Sequence, residues 1–291
     1  MPFSDIQLND GRKIPSIAFG SGSVNKGKDI HAYIEQAIEA GFSHIDTAQR
    51  PSQLLLRAKH PLSLYVTPRH RNEESVGRAI RESGLEPSTL YITSKYGLPH
   101  ETPRKALEDS LGKIGIKYLD LYLIHAPRGD YIGAWTAFEK IQEEGLAKFV
   151  PSDLFNFGIE ELQTLLKHAK VIPAVNQIRF HPYNYTQLKP LLEYQASHGI
   201  VTEAYGSLAP ITAYPGGPVD APIKQAAERL GITPTQVIFL WVKAKGAVIV
   251  TTSSNKKHLE EYLSVGDLPP LTSEEIEEID NAGAQGPPNT A

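Results

Sequence analysis

Short apolar runs recur along the chain, and the stretches between them carry apolar residues three or four positions apart. The runs at 16–19, 42–45, 90–94, 119–124, 174–178, 200–204 and 247–250 read as buried strands, with a weaker one at 148–151. The intervening stretches read as helices. One, capped by Asp29, runs to Ala40 and stops at Gly41; one covers 72–80 and stops at Gly84; one covers 103–111. A fourth contains Trp135, Phe138 and Ile141, whose i, i+3 spacing puts them on one face, and Gly145 closes it. Further helices are expected at 159–169, 187–198, 222–230, 233–245 and 273–280, with Pro234 at a first helical position. Near the N-terminus, Asn9-Asp10-Gly11 marks a hairpin within 6–14.

Eight strands alternating with helices predict parallel strands joined by crossover helices. The count favours a closed (β/α)8 barrel of the TIM type over an open sheet, with the hairpin as a plug at its bottom. The whole chain, 1–291, is expected to form one domain. In such a barrel the site lies at the carboxyl ends of the strands. Asp46, Lys95 and His125 all fall there. A carboxylate at the end of an apolar strand is costly to bury without a partner. Lys95 has three readings: the charge partner of Asp46, a Schiff-base lysine or a phosphate ligand. Each of the three residues taken singly also has a plainer reading, as a turn acid, a surface lysine or a core histidine.

Composition narrows the function. The charged fraction is 21% and the formal net charge −4, so no basic field attracts nucleic acid or anionic lipid. There is no cysteine, which excludes disulfides, thiolate catalysis and Cys-ligated zinc, and a cytoplasmic location fits. No apolar run approaches the roughly 20 residues of a membrane span, and the first residues show no signal-peptide pattern. The expected partner is a small molecule, with no nucleic acid, membrane or metal involved. The chain is expected to be a monomer or weak dimer.

Seven segments in order, 41–49 (GFSHIDTAQ), 72–80 (NEESVGRAI), 92–95 (ITSK), 110–125 (SLGKIGIKYLDLYLIH), 175–182 (VNQIRFHP), 203–208 (EAYGSL) and 248–254 (VIVTTSS), resemble the aldo-keto reductases, most closely fungal members. The resemblance spans nearly the whole chain. It implies an NADP(H)-dependent oxidoreductase that reduces an aldehyde or ketone to the alcohol. In that family a tyrosine protonates the carbonyl oxygen, a lysine lowers the tyrosine pKa, an aspartate fixes the lysine and a histidine orients the carbonyl. A phenol with a pKa of about 10 needs such a neighbouring cation to work near neutrality. The resemblance assigns these supporting roles to Lys95, Asp46 and His125. It also assigns Asn156, Gln177 and Tyr205 to the nicotinamide, with Tyr205 stacking on the ring. Leu208 falls to the pyrophosphate, and Thr252, Ser253, Ser254 and His258 to the adenosine phosphate.

The chain departs from the family pattern in several places. The family asparagine lies seven residues after the aspartate; here Asn72 lies 72 − 46 = 26 after Asp46, an excess of 19. The atypical insertion lies within 50–71 and carries four arginines, one lysine, two histidines and no acid. His70 stands at the tyrosine position. Two readings follow. In one, the excess is a translated intron, 3 × 19 = 57 nucleotides long, and His70 is the remnant of the tyrosine codon. In the other, the insertion supplies its own proton donor, Tyr65 or His70. An alternative function is a catalytically impaired nicotinamide-binding barrel with a binding or regulatory role. Near residue 155, Phe155 precedes Asn156 where the family has serine, and that segment is about two residues longer than the family pattern. Thr252, Ser253 and His258 stand where the family has lysine, serine and arginine, so Lys256 or Lys257 is expected to add charge.

Overall fold

The computed structural model describes residues 3–22, 29–49, 72–97, 101–144 and 153–288, with Asp153 described for its backbone alone. Eight parallel strands close into a barrel: β3 (Ile17–Gly20), β4 (His44–Asp46), β5 (Tyr91–Tyr96), β6 (Leu121–Ile124), β7 (Asp153–Phe155), β8 (Val175–Arg179), β9 (Val201–Tyr205) and β10 (Val248–Thr251). Each pairs with its neighbours in chain order, and β10 closes on β3 through Ile249↔Ile17. The expected barrel is therefore present.

The hairpin is present too. β1 (Asp5–Gln7) pairs antiparallel with β2 (Lys13–Pro15), and Gly11 takes the left-handed φ of 87° that the turn requires. Leu8 and Ile14 are buried against Leu121, Val175 and Val248, each the first residue of a barrel strand. The hairpin thus seals the amino-terminal end with apolar side chains. Asn9 Nδ2 donates to Pro173 O at 2.8 Å and Arg12 Nη1 to Asp120 O at 3.1 Å, which pin its turn to the barrel floor.

Around the barrel run α1 (His31–Ala40), α2 (Asn72–Ser83), α3 (Pro103–Ile114), α4 (Tyr131–Glu143), α5 (Ile159–Leu166), α6 (Pro182–Ser197), α7 (Ala209–Thr212), α8 (Asp220–Leu230), α9 (Pro234–Ala244), α10 (Lys256–Ser264) and α11 (Ser273–Gly283). Trp135, Phe138 and Ile141 of α4 are all buried, as their spacing requires. Asp29 Oδ1 accepts from the first amide of α1, His31 N, at 3.2 Å. α2 and α3 touch through Gly77, where a Cβ would stand 2.3 Å from Ile114 O, so only glycine fits.

The structure corrects one sequence expectation and adds to others. The fifth barrel strand among the described residues is β7, at 153–155: its pairing is Leu123↔Asp153 on one side and Phe155↔Gln177 on the other. Residues 148–151, like Gly145, lie outside the described residues. α6 begins at Pro182 rather than at 187. Proline at its first position and Asn184 Oδ1 accepting from His181 N at 2.9 Å start the helix five residues earlier. Finally, α10 was not expected. It is set by Asn255 Oδ1 accepting from Lys257 N at 3.0 Å, and by burial of Leu259 and Tyr262.

Candidate active site

Asp46 is the last residue of β4 and Lys95 the fifth of the six in β5. In register Asp46 lies beside Thr93, so Lys95 shares the inward face one pleat higher. Its side chain folds back, and Nζ donates to Asp46 Oδ1 at 2.6 Å, Asp46 Oδ2 at 2.5 Å and Thr47 O at 3.1 Å. Lys95 is 3% exposed and Asp46 6%. The pair is thus a buried one, and each ammonium donor has an acceptor.

Gln177 of β8 joins them from across the barrel. Its Nε2 donates to Asp46 Oδ2 and to Glu203 Oε2, both at 2.9 Å. Glu203 lies on β9 directly beside Gln177 and is fully buried. Below the pair, His44 Nε2 lies 2.8 Å from Thr93 Oγ1 and 4.0 Å from Glu203 Oε1. Burial pushes the His44 imidazole down to about 4, because its cation would have no water. Burial, and then the charge of Asp46, push the Glu203 carboxyl up to about 7.

Above the ion pair the site is aromatic. The Lys95 ammonium lies 5.8 Å from the centroid of Phe155. His125, just past β6, packs edge-on against the same ring at 5.0 Å, and its backbone N donates to Tyr96 O at 2.9 Å. Tyr205, at the end of β9, stacks on the Phe155 ring with centroids 5.1 Å apart and planes 9° apart. Its hydroxyl donates to Asn156 Oδ1 at 3.2 Å. Asn156 holds a φ of 58°, a left-handed backbone that asparagine tolerates better than most residues. Its backbone N–H donates to Gln177 O at 2.9 Å.

Asp46, Lys95, His125, Asn156, Gln177 and Tyr205 therefore converge at one end of the barrel. Leu208 follows at the start of α7, partly buried against the main core. The adjacent Ser207 Oγ is buried and has no hydrogen-bond partner among the described residues. Thr252, Ser253 and Ser254 follow β10, the strand that pairs with β9 at Val250↔Tyr205. Ser253 Oγ accepts from Asn255 N at 3.1 Å and lies 3.4 Å from His258 Nδ1. Lys256 is drawn away, its Nζ 3.3 Å from Glu39 of α1. Tyr65 and His70 lie outside the described residues. The tyrosines at the ends of β5 and β9 are otherwise engaged: Tyr96 donates to Glu101 O at 2.6 Å and Tyr205 to Asn156.

Three contributors were not singled out from sequence. From sequence Phe155 reads as an anomaly of spacing rather than as a member of the site. Glu203 and His44 each sit at an inward position of an apolar strand. That alternation was the signal available for both.

A closed parallel barrel with a lysine, a carboxylate and an amide gathered at the carboxyl ends of its strands has the form of a barrel enzyme. Residues 16–284 match the family model described as "Aldo/keto reductase family". The chain is 35% identical to an "NAD/NADP-dependent indole-3-acetaldehyde reductase" of Schizosaccharomyces pombe, with 94% of each chain covered. It is 32% identical to "Methylglyoxal reductase DkgA" of Escherichia coli, over 94% of this chain and 91% of that one. It superposes with a TM-score of 0.78 on a crystal structure of a Bombyx mori aldo-keto reductase in complex with NADP, at 27% identity over 96% of this chain and 92% of the other. The chain belongs to the aldo/keto reductase family. It is accordingly an oxidoreductase of the carbonyl-reducing kind that works with a nicotinamide cofactor and a small-molecule substrate. Among the described residues no helix is long and apolar enough to cross a membrane.

Proposed function

We propose that the chain is an NADP(H)-dependent reductase converting an aldehyde or ketone to the alcohol, acting as a one-domain cytoplasmic monomer or weak dimer. The observation that carries the chemistry is the Lys95–Asp46 pair, 3% and 6% exposed, at the mouth of the barrel. A buried ion pair is seldom retained for stability alone. Here Asp46 fixes the lysine, and the lysine field acts on whatever proton donor docks beside it. The Lys95 N–H directed at Thr47 O makes the longest of the three contacts, so it is the donor that an incoming phenol or imidazole competes for.

The donor set fits a nicotinamide cofactor. Gln177 offers an amide fixed by two carboxyls, Ser207 a buried hydroxyl without a hydrogen-bond partner among the described residues, and 252–254 a run of three hydroxyls. Asn156 and Gln177 would hold the carboxamide, and Tyr205 would lie against the ring once Phe155 leaves the face it covers. Leu208 would line the pyrophosphate path. Thr252, Ser253, Ser254 and His258 would take the adenosine phosphate, with Lys257 as the nearby cation. When bound, the cofactor supplies hydride to the carbonyl carbon. His125 would orient the carbonyl oxygen, and the proton would come from the inserted segment, through Tyr65 or His70. The phosphorylated cofactor is supported by the hydroxyl-rich turn and by the silkworm neighbour, whose structure holds NADP.

Two measurements test this reading: NADPH binding by quenching of protein fluorescence, and NADPH oxidation with a generic aldehyde. Binding with turnover that disappears in Lys95→Met supports the reductase. Binding without turnover favours the impaired barrel, and absence of binding overturns both.

A further inference from the structure

We propose that Glu203 is a positioning residue of the reductase site, setting the orientation of the Gln177 amide and, through it, the balance of charge around Asp46 and Lys95. The proposal rests on the cofactor role of Gln177 given above. Inside the barrel, one NH2 group bridges two carboxyls: Gln177 Nε2 is 2.9 Å from Asp46 Oδ2 and 2.9 Å from Glu203 Oε2. With both acids on its nitrogen, the amide cannot turn over without aiming its oxygen at the Asp46 carboxylate. Gln177 Oε1 therefore faces away from the acids, as an acceptor for the N–H of a bound carboxamide.

The charges around Glu203 explain why it must be neutral to do this. Among the described residues, β4 contributes Asp46 and His44, β5 contributes Lys95, and the β10 residue in register is the apolar Val248. Two acids thus share one ammonium, and Lys95 is spent on Asp46. His44 is neutral, since burial holds its imidazole at about 4. Glu203 is 0% exposed, so a second carboxylate there would lack both water and a cation. As the neutral acid, Glu203 keeps Oε2 as an acceptor for Gln177, which leaves the proton to Oε1, the oxygen 4.0 Å from His44 Nε2. Burial and Asp46 together place the change of state at about 7. Above that pH an ionised Glu203 competes with Asp46 for Gln177 Nε2, pulling the amide deeper into the barrel.

The test is the dissociation constant of NADPH, read by fluorescence quenching between about pH 5.5 and 8.5, in wild type, Glu203→Gln, Glu203→Leu and Gln177→Ala. The 2′-phosphate of the ligand itself titrates near 6, so the difference between profiles is the readout. Wild type should lose affinity several-fold, relative to Glu203→Gln, as pH rises through about 7. Glu203→Leu removes the second acceptor and should bind about tenfold more weakly at every pH, like Gln177→Ala. If Gln177→Ala is weakened while both Glu203 variants follow the wild-type profile, Gln177 keeps its cofactor role and the role of Glu203 is overturned. If Gln177→Ala binds as tightly as wild type, the cofactor reading of Gln177 fails, and this proposal with it. Should Glu203→Leu not fold, the comparison of Glu203→Gln with wild type decides alone.

Discussion

Phe155 and Tyr205 lie ring on ring, with centroids 5.1 Å apart and planes within 9° of parallel. The covered face of Tyr205 is the one turned toward the catalytic groups, because the same Phe155 ring also meets His125 at 5.0 Å and the Lys95 ammonium at 5.8 Å. A flat nicotinamide lying on Tyr205 beside Lys95 needs that face. Phe155 and the cofactor ring therefore compete for one surface.

Phe155→Ser should clear that surface and restore a hydroxyl at the strand end. The expected result is tighter NADPH binding, by about tenfold, since an aromatic pair contributes roughly 0.5–1.5 kcal/mol beyond its area. Fluorescence quenching measures it directly. Weaker binding in the variant would mean that Phe155 belongs to the cofactor stack rather than obstructing it.

The Lys95–Asp46 pair makes a separate prediction about stability. Asp46→Asn leaves a buried ammonium without its counter-charge and should cost about 3–5 kcal/mol, seen as a lower urea midpoint. Adding Lys95→Met removes the stranded charge and should recover most of that stability. Activity should stay at background in both. Stability that returns without activity separates the chemical role of the pair from its structural one.

A third prediction concerns pH. Burial lowers His44 to about 4, so the unfolded chain binds more protons than the folded one between about 4 and 6.5, and His44 makes stability rise with pH there. Glu203 does the opposite. Its folded carboxyl titrates at about 7, so the folded chain binds the extra proton above about 4.5, and stability falls as pH rises toward 7. Each amounts to about 3 kcal/mol, and across their shared window the two offset one another. Wild type should therefore show little slope from this pair. Glu203→Gln removes one half and should expose the His44 slope, a stability that climbs from about pH 4.5 to 6.5. Urea unfolding at four or five pH values suffices, and an unchanged slope would contradict the assignment.

Most of the barrel was legible because its strands are apolar on both faces and its helices carry stops at Gly41, Gly84, Gly199 and Gly231. α10 was not, since its apolar residues, Leu259, Tyr262 and Leu263, are few and its cap lies in a turn already given a ligand role. β7 is not legible at 153–155, because apolar Phe149 and Val150 draw attention by hydrophobicity, whereas the pairing to Leu123 and Gln177 is a property of the neighbouring strands. In the site, Asp46, Lys95 and His125 could be read as strand-end polar residues. The bridge from Gln177 to Glu203 could not, because it depends on two strands lying side by side, which spacing along one strand does not encode. Phe155 escaped for a related reason. Its contact with Tyr205 spans strands β7 and β9, with β8 between them.

The last prediction addresses the proton donor. The two ends of the inserted segment are held independently of it. Gln49, 2% exposed, donates through Nε2 to Ser110 Oγ at 2.5 Å and to Ala106 O, both on α3. Asn72, 3% exposed, donates through Nδ2 to Ser21 O at 3.2 Å. Removing residues 51–69 deletes 69 − 51 + 1 = 19 residues and restores the seven-residue interval from Asp46 to Asn72. Combined with His70→Tyr, the deletion returns a phenol to the family position beside Lys95. If the segment is a translated intron, NADPH oxidation should rise by about 10²–10⁴-fold, the usual contribution of a positioned general acid. Sequencing of mature transcripts should then show the 3 × 19 = 57 nucleotides removed. If the insertion instead supplies the donor, the deletion gains nothing, and in the full chain Tyr65→Phe or His70→Ala should lower the rate by a similar factor. A folded deletion variant with no gain, together with unaffected point variants, would rule out both sources and leave the nicotinamide-binding barrel without turnover as the function of this chain.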